Sequence, residues 1–365
     1  MVESILVYSF MMFFSFAVGR KIYSKKDITL IVLIISLFVF VTAVRYGVGV
    51  DFFSYKAIYE NLVVSGDVKR EDFEVGFLLM MKILSGLGLS SPFFFGVCGL
   101  LQIGAIFFAF KEESFLYKFL IVFLVASGEY FSWTNGIRQI TAYTFIVCAM
   151  SLYLLNSKRW SYLLLALAVS FHTSALLFFP FFFVAVYYPK IWIKSTYKKL
   201  TILALCYIFC STFHLSDYIN SVNSIMNVVG YERYKDASLI EEERVLEYGP
   251  RFFVTLISSV IIIANSAKMS RYYDSKLFNA LFNIFFIGTC LLPLFRDNMH
   301  LMRFLYYFNS NIFILQSYYC HYLYARGKKQ EALLWFIFIS IYLLVNLFTA
   351  TKNSNILYQN IFEID

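Results

Sequence analysis

Five arginines, Arg45, Arg138, Arg251, Arg296 and Arg303, stand at or next to the ends of long apolar runs. Arginine keeps its charge at any physiological pH, and its planar fork grips phosphate oxygens two at a time. At the mouth of a membrane helix such a charge is tolerated only beside water or an anion. Several arginines converging on one cavity would hold a diphosphate group. Proton-transfer candidates occupy similar places: Asp51 in Arg45-Tyr-Gly-Val-Gly-Val-Asp51, and His172 in Phe171-His-Thr-Ser-Ala175. The competing account is local: Arg251 pairs with one of Glu241, Glu242, Glu243 or Glu247, Arg296 pairs with Asp297, and His172 is a hydrogen-bonded core residue.

Further polar groups mark the same helix ends. Tyr55 follows Asp51 by one helical turn, and Glu74 opens another apolar run. Asn135-Gly-Ile-Arg138-Gln139 precedes the apolar stretch Ile140–Leu155, so Arg138 and Gln139 lie one turn inside a helix and must face a polar cavity. Arg296-Asp-Asn-Met-His300-Leu-Met-Arg303, with Tyr306 and Tyr307 a turn later, is the most polar short connection between two apolar segments. The stretch 215–250, with Tyr231-Glu-Arg-Tyr234 and Glu241–Glu243, suits carbohydrate contacts, a lid or a plain solvated loop.

These groups need elements to carry them, and composition says which. The chain has 365 residues, 60% of them hydrophobic and 15% charged, which is too apolar for a soluble domain. Uncharged runs recur along the whole length. A span of the roughly 30 Å hydrocarbon core takes about 20 apolar residues, so the fold class is all-α: a polytopic helical bundle in a membrane, read as a single transmembrane domain over 1–365. Expected spans are 3–19, 27–44, 75–90, 92–110, 115–133, 136–155, 160–172, 173–189, 199–214, 251–267, 277–295, 303–324 and 332–350.

The net charge of +8 resides in lysine-rich short connections, which is the positive-inside signature and calls for no nucleic acid. Arg20–Lys26, Lys190–Lys199, Lys268–Lys276 and Arg326–Lys329 are then cytoplasmic. The N-terminus and 45–74, 215–250, 296–302 and 351–365 are extracytoplasmic. Crossings between Val44 and Lys190 must be odd in number, yet six runs lie there. Either 75–90 is re-entrant, or 160–189 is one helix kinked near Pro180. The first is preferred, because it makes a hairpin that brings Arg138 and His172 to one outer end.

No P-loop, glycine-rich dinucleotide signature, zinc-ligand spacing or outward Asp-x-Asp pair is present, so neither cofactor nor metal is expected. The six cysteines sit in apolar segments and read as free thiols.

Taken in order, Arg45-Tyr-Gly-Val-Gly-Val-Asp51 with Tyr55, Glu74-Val-Gly-Phe77, Asn135-Gly-Ile-Arg138-Gln139, Phe171-His-Thr-Ser-Ala175 and Arg303 before tyrosines resemble the EpsG/Wzy-type bacterial polysaccharide polymerases, from about residue 40 to 310. One departure is the absence of a proline after Glu74. With 75–90 re-entrant the expected runs make about 12 transmembrane helices, and the resemblance implies a glycosyltransferase-C-like bundle in the bacterial inner membrane. It implies metal-independent, inverting transfer of a growing glycan from undecaprenyl diphosphate to a lipid-linked repeat unit, on the outer face. Arg45, Arg138, Arg251, Arg296 and Arg303 would then hold the diphosphate, with Tyr55, Glu74, Asn135 and Gln139 beside the substrate. Asp51, slightly ahead of His172, would be the base. Partners would be undecaprenyl-diphosphate-linked oligosaccharides, membrane lipid and a chain-length-regulating copolymerase. A flippase for the same glycolipid would also gather outer arginines, and a membrane O-acyltransferase would need a histidine nearer the cytoplasm.

Overall fold

The computed structural model describes residues 1–22, 27–66, 73–212, 249–295, 299–349 and 356–361. The expected all-helical membrane class holds. Six helices among the described residues are long and apolar enough to cross a membrane, and a bent pair makes a seventh if counted as one span. The protein is a multi-pass helical membrane protein.

The chain packs into two compact units, Met1–Ala175 with Gln316–Asp365, and Leu176–Leu315. In the first, α1 (Val2–Gly19), α2 (Ile28–Val44), α3 (Phe52–Ser65), α4 (Val75–Gly86), α5 (Ser91–Ala109), α6 (Tyr117–Ala126), α7 (Glu129–Asn135), α8 (Ile137–Leu154) and α9 (Lys158–Phe171) follow one another. The core is α8, which is buried almost throughout and packs on α5 and α9, while α1 lies on α6 and α2 on α5. A two-residue strand, β1 (Arg45–Tyr46), pairs antiparallel with β2 (Gln359–Asn360), Arg45 opposite Asn360.

The second unit contains α10 (Ala175–Tyr187, all but its first residue), α11 (Thr196–Thr212), α12 (Pro250–Tyr273), α13 (Lys276–Phe295), α14 (Met299–Phe304) and α15 (Tyr306–Asn309). The chain continues through α16 (Ile312–Ala325) and α17 (Lys329–Thr349), and α17 packs on α6.

Several expected elements are corrected. The stretch 45–74, expected as a loop, contains β1 and the 14-residue α3. The span expected over 115–133 is broken at Ser127-Gly128, where Gly128 turns with φ of 76° and the helical segments on either side are bent by 76°. The span expected over 303–324 is interrupted at Leu305 and again at Ser310-Asn311. There the Asn311 amide donates to the carbonyls of Phe308 at 2.9 Å and Tyr307 at 3.4 Å, a side-chain alternative to the backbone ladder. The separate segments expected over 160–172 and 173–189 correspond to α9 and α10, with the break at His172–Ser174 and Pro180 inside α10. With 12 residues, α4 is about 18 Å long, well short of the hydrocarbon thickness. All six cysteines are free thiols.

Candidate active site

The site is built in the first unit, where the chain reverses between apolar helices. Isoleucine-, valine- and phenylalanine-rich α2 stops at Val44, and the next seven residues turn sharply before α3 starts. Two glycines make the turn, Gly47 with φ of 67° and Gly49 with φ of 97°. A Cβ on Gly49 would stand 2.7 Å from the Thr134 carbonyl oxygen, so the turn can press directly on the end of α7. Asn135 then reaches back, its Oδ1 accepting the Asp51 backbone N–H at 3.0 Å.

Arg45 lies beneath this turn and is 1% exposed. Its Nη2 donates to the Thr134 carbonyl at 3.2 Å, and its guanidinium stands 4.9 Å from the centre of the Phe95 ring and 5.9 Å from that of Phe52. A cation desolvated against aromatic faces and a carbonyl holds neighbouring backbone together. In this arrangement the Arg45 side chain contacts the turn from within.

The C-terminal segment reinforces the turn. Besides the β1–β2 pairing, Tyr8 donates to the Ile356 carbonyl at 3.0 Å, the Tyr358 N–H to Ser4 Oγ at 2.9 Å and the Tyr358 hydroxyl to the Val41 carbonyl at 3.0 Å. Residues from both ends of the chain thus meet at Arg45.

The charged centre is Glu74, just ahead of α4. Its Oε2 accepts from Arg138 Nη1 at 2.5 Å, and its Oε1 accepts from His172 Nδ1 at 2.7 Å and from the Thr173 N–H at 3.3 Å. Arg138 also donates through Nε to the Tyr55 hydroxyl at 3.2 Å, and its guanidinium lies 5.0 Å from the centre of the Phe73 ring. The side chains of Glu74, His172 and Arg138 are 10%, 16% and 23% exposed, so the cluster is sheltered but still reachable.

Four elements place these groups. Tyr55 comes from the first turn of α3, Glu74 from the approach to α4, Arg138 from the first turn of α8, and His172 from the residue that ends α9. Gln102 of α5 holds the start of α8 by donating to the Ile137 carbonyl at 3.3 Å. Gly76 lets α4 lie against Ser170 of α9, where any Cβ would collide, and this approach sets Glu74 beside His172.

Electrostatics decide how Glu74 can act. Burial pushes its carboxyl up, but the His172 hydrogen bond and the charges of Arg138 and His172 outweigh it and hold the group at about 2, against an ordinary 4.5. Glu74 is therefore ionised at neutral pH and is a poor proton donor or acceptor there. An ionised carboxylate only accepts, so His172 Nδ1 carries a hydrogen, and in the neutral imidazole the lone pair is then on Nε2. That is the arrangement of a base oriented by a carboxylate.

Of the other expected residues, Asp51 precedes α3 with its side chain partly exposed, and its charge reaches the Tyr55 phenol. Gln139 is buried in α8. Arg303 is exposed on α14. Arg251 starts α12, but its side chain lies outside the described residues, as does all of Arg296 and most of the 215–250 stretch. Among the described residues, no group of three or more His, Cys, Asp or Glu is placed to hold a metal ion.

The count of membrane crossings brings Arg138 near His172, but nothing in the chain joins Glu74 to them. A carboxylate immediately ahead of an apolar helix was the available signal, and it named no partner. The surroundings of Arg45 had no sequence signal at all, since Phe95 and Thr134 come from distant segments and only Phe52 is near it in the chain.

A family model described as the EpsG family matches residues 28–362, an interval that includes both the Arg45 turn and the Glu74 cluster. The chain belongs to the EpsG family. No curated protein and no solved structure matches it. In this EpsG family member most of the motifs that carry the resemblance fall into two sets of hydrogen bonds: Arg45 and Asp51 bonded to the end of α7, and Tyr55, Glu74, Arg138 and His172 bonded to one another.

Proposed function

We propose that this protein is a polysaccharide polymerase, a membrane glycosyltransferase that moves a growing glycan from undecaprenyl diphosphate onto a lipid-linked repeat unit at the outer face of the bacterial inner membrane. The observation that carries the proposal is the Glu74 centre, in which one carboxylate holds an arginine on one oxygen and a histidine on the other.

In the reaction, His172 Nε2 takes the proton of the acceptor hydroxyl, whose oxygen attacks the anomeric carbon of the donor. The bond from that carbon to the diphosphate oxygen breaks as the new glycosidic bond forms, inverting the centre in one displacement without a covalent intermediate. Arg138 faces the negative charge that develops on the leaving diphosphate. Glu74 fixes the histidine tautomer and steadies the imidazolium formed. Arg45 braces the turn that presents Asp51 and Tyr55, and Asp51 and Asn135 contact the acceptor sugar. Arg251, Arg296 and Arg303 are the remaining candidates for the diphosphate.

The same proposal includes a bundle of about 12 crossings of glycosyltransferase-C type, with α4 as the segment that does not cross. It includes an extracytoplasmic active site and regulation by a copolymerase that sets chain length. The proximity of Ser4, Arg45 and Tyr358 supports putting the N-terminus, the 45–74 connection and the C-terminal segment on one side.

The test is polymerisation by purified protein supplied with lipid-linked repeat units. His172→Gln and Arg138→Ala should stop elongation while single repeats remain bound. Normal polymer from both variants would reject the reading. In cells, single-repeat glycolipid accumulating outside fits a polymerase, and accumulation inside fits a flippase instead.

A further inference from the structure

The first unit also contains an apolar cavity of about 500 Å³ between α1, α6, α16 and α17, lined by Phe13, Phe16, Phe119, Phe123 and Phe336, with Lys329 at one end. Its size falls in the range of small-molecule sites, roughly 300–1,000 Å³, but its walls carry almost none of the polar groups that orient a soluble ligand. The charge gathers at one end. Lys118 Nζ stands 5.0 Å from the centre of the Phe119 ring and 4.7 Å from that of Tyr324, both of which line the cavity. Arg20 stands 5.9 Å from the centre of the Phe16 ring, and Gly19 before it lies directly against the Lys118 backbone.

Two carboxylates of the adjoining segments are engaged elsewhere. Glu331 is held by Lys328 at 2.8 Å, and Glu113 accepts from the Tyr318 hydroxyl. Among the described residues no carboxylate forms an ion pair with Arg20, Lys118 or Lys329. A deep apolar slot between helices that ends in three such cations matches a ligand with acyl chains and an anionic head, because one molecule satisfies both surfaces.

We propose that this cavity is a binding site for an anionic glycerophospholipid, with an acyl chain among the phenylalanines and the phosphate between Arg20, Lys118 and Lys329. The basic end belongs to the cytoplasmic leaflet in the orientation proposed above. The site shares no residue with the Glu74 centre, so it stands whether or not the reaction assigned there is correct.

The test uses the full chain in nanodiscs of equimolar phosphatidylglycerol and phosphatidylcholine, with retained lipid counted by native mass spectrometry. The wild type should keep phosphatidylglycerol in preference to phosphatidylcholine. Arg20→Gln and Lys329→Gln alter exposed side chains, and each should cut that preference about fivefold, the usual worth of one surface cation toward an anionic lipid. Ser9→Trp, at another exposed lining position, should fill the slot and release both lipids. Equal retention of the two lipids by the wild type would overturn the proposal. So would an unchanged preference in both glutamine variants, or full phosphatidylglycerol retention by Ser9→Trp.

Discussion

At the scale of single residues, Glu74 separates the roles of two titratable groups. Held at about 2 between Arg138 and His172, it stays charged, and the proposed mechanism therefore assigns proton transfer to His172. His172→Gln should lower kcat by roughly 10² to 10⁴, the usual worth of a general base, whereas Asp51→Asn should retain most activity. Steady-state rates on lipid-linked repeats measure both, and a larger loss in Asp51→Asn would reverse the assignment. The same depression has a sign for stability. A carboxyl lowered on folding contributes stability that is complete above its unfolded value of 4.5 and is lost as pH falls through about 2. At neutral pH the contribution is on the order of 3 kcal/mol, falling to about 1 kcal/mol at pH 3. Thermal unfolding in detergent should therefore show Glu74→Gln well below wild type at pH 7 and much closer at pH 3.

At the scale of elements, the site depends on close approaches that few residue types permit. Gly49 combines φ of 97° with a carbonyl 2.7 Å from where a Cβ would stand, so Gly49→Ala adds left-handed strain to a backbone clash. A loss of about 2 kcal/mol or more is expected, read as a lower melting temperature and reduced binding of the lipid-linked substrate. The β1–β2 pairing makes a similar point from further away. Tyr358→Ala removes the bond to the Val41 carbonyl and the ring packed on Tyr8, and it should lower kcat by loosening Arg45 without touching substrate. Rescue of activity by Tyr358→Phe, which keeps the ring, would show that packing outweighs the hydrogen bond. Breaks at Gly128 and Asn311 divide segments that hydropathy reads as continuous, since a window average does not register one left-handed glycine or one side-chain amide capping a carbonyl.

For the whole molecule, the question is which side each connection faces. In the proposed orientation Ser157, ahead of α9, is cytoplasmic and Val50, in the Arg45 turn, is outside. In a cysteine-free background, Val50→Cys should react with an impermeant thiol reagent in whole cells, and Ser157→Cys should react only after permeabilisation. Outside labelling at Ser157 would eliminate the re-entrant assignment for α4 and place α9 the other way round. Stability of the assembly rests on apolar contact and not on bridges, because all six cysteines are free. Reducing agent should leave the melting temperature unchanged.

Class, membrane setting and the identity of the candidate residues were legible in the chain itself. Hydropathy is a local property, and charge at a helix end is costly wherever the helix goes. Arg138, His172, Glu74 and Asp51 could be picked out for that reason. What they do to one another could not. The carboxylate between Arg138 and His172 is 64 residues from one and 98 from the other, and α4 must lie against α9 before they meet. Arg45 shows the same. Its type and place at a helix mouth were readable in the chain, but its burial against the ring of Phe95, fifty residues on, was not. Sequence determines which groups are too polar for their surroundings, and only the tertiary structure decides which partner relieves each one.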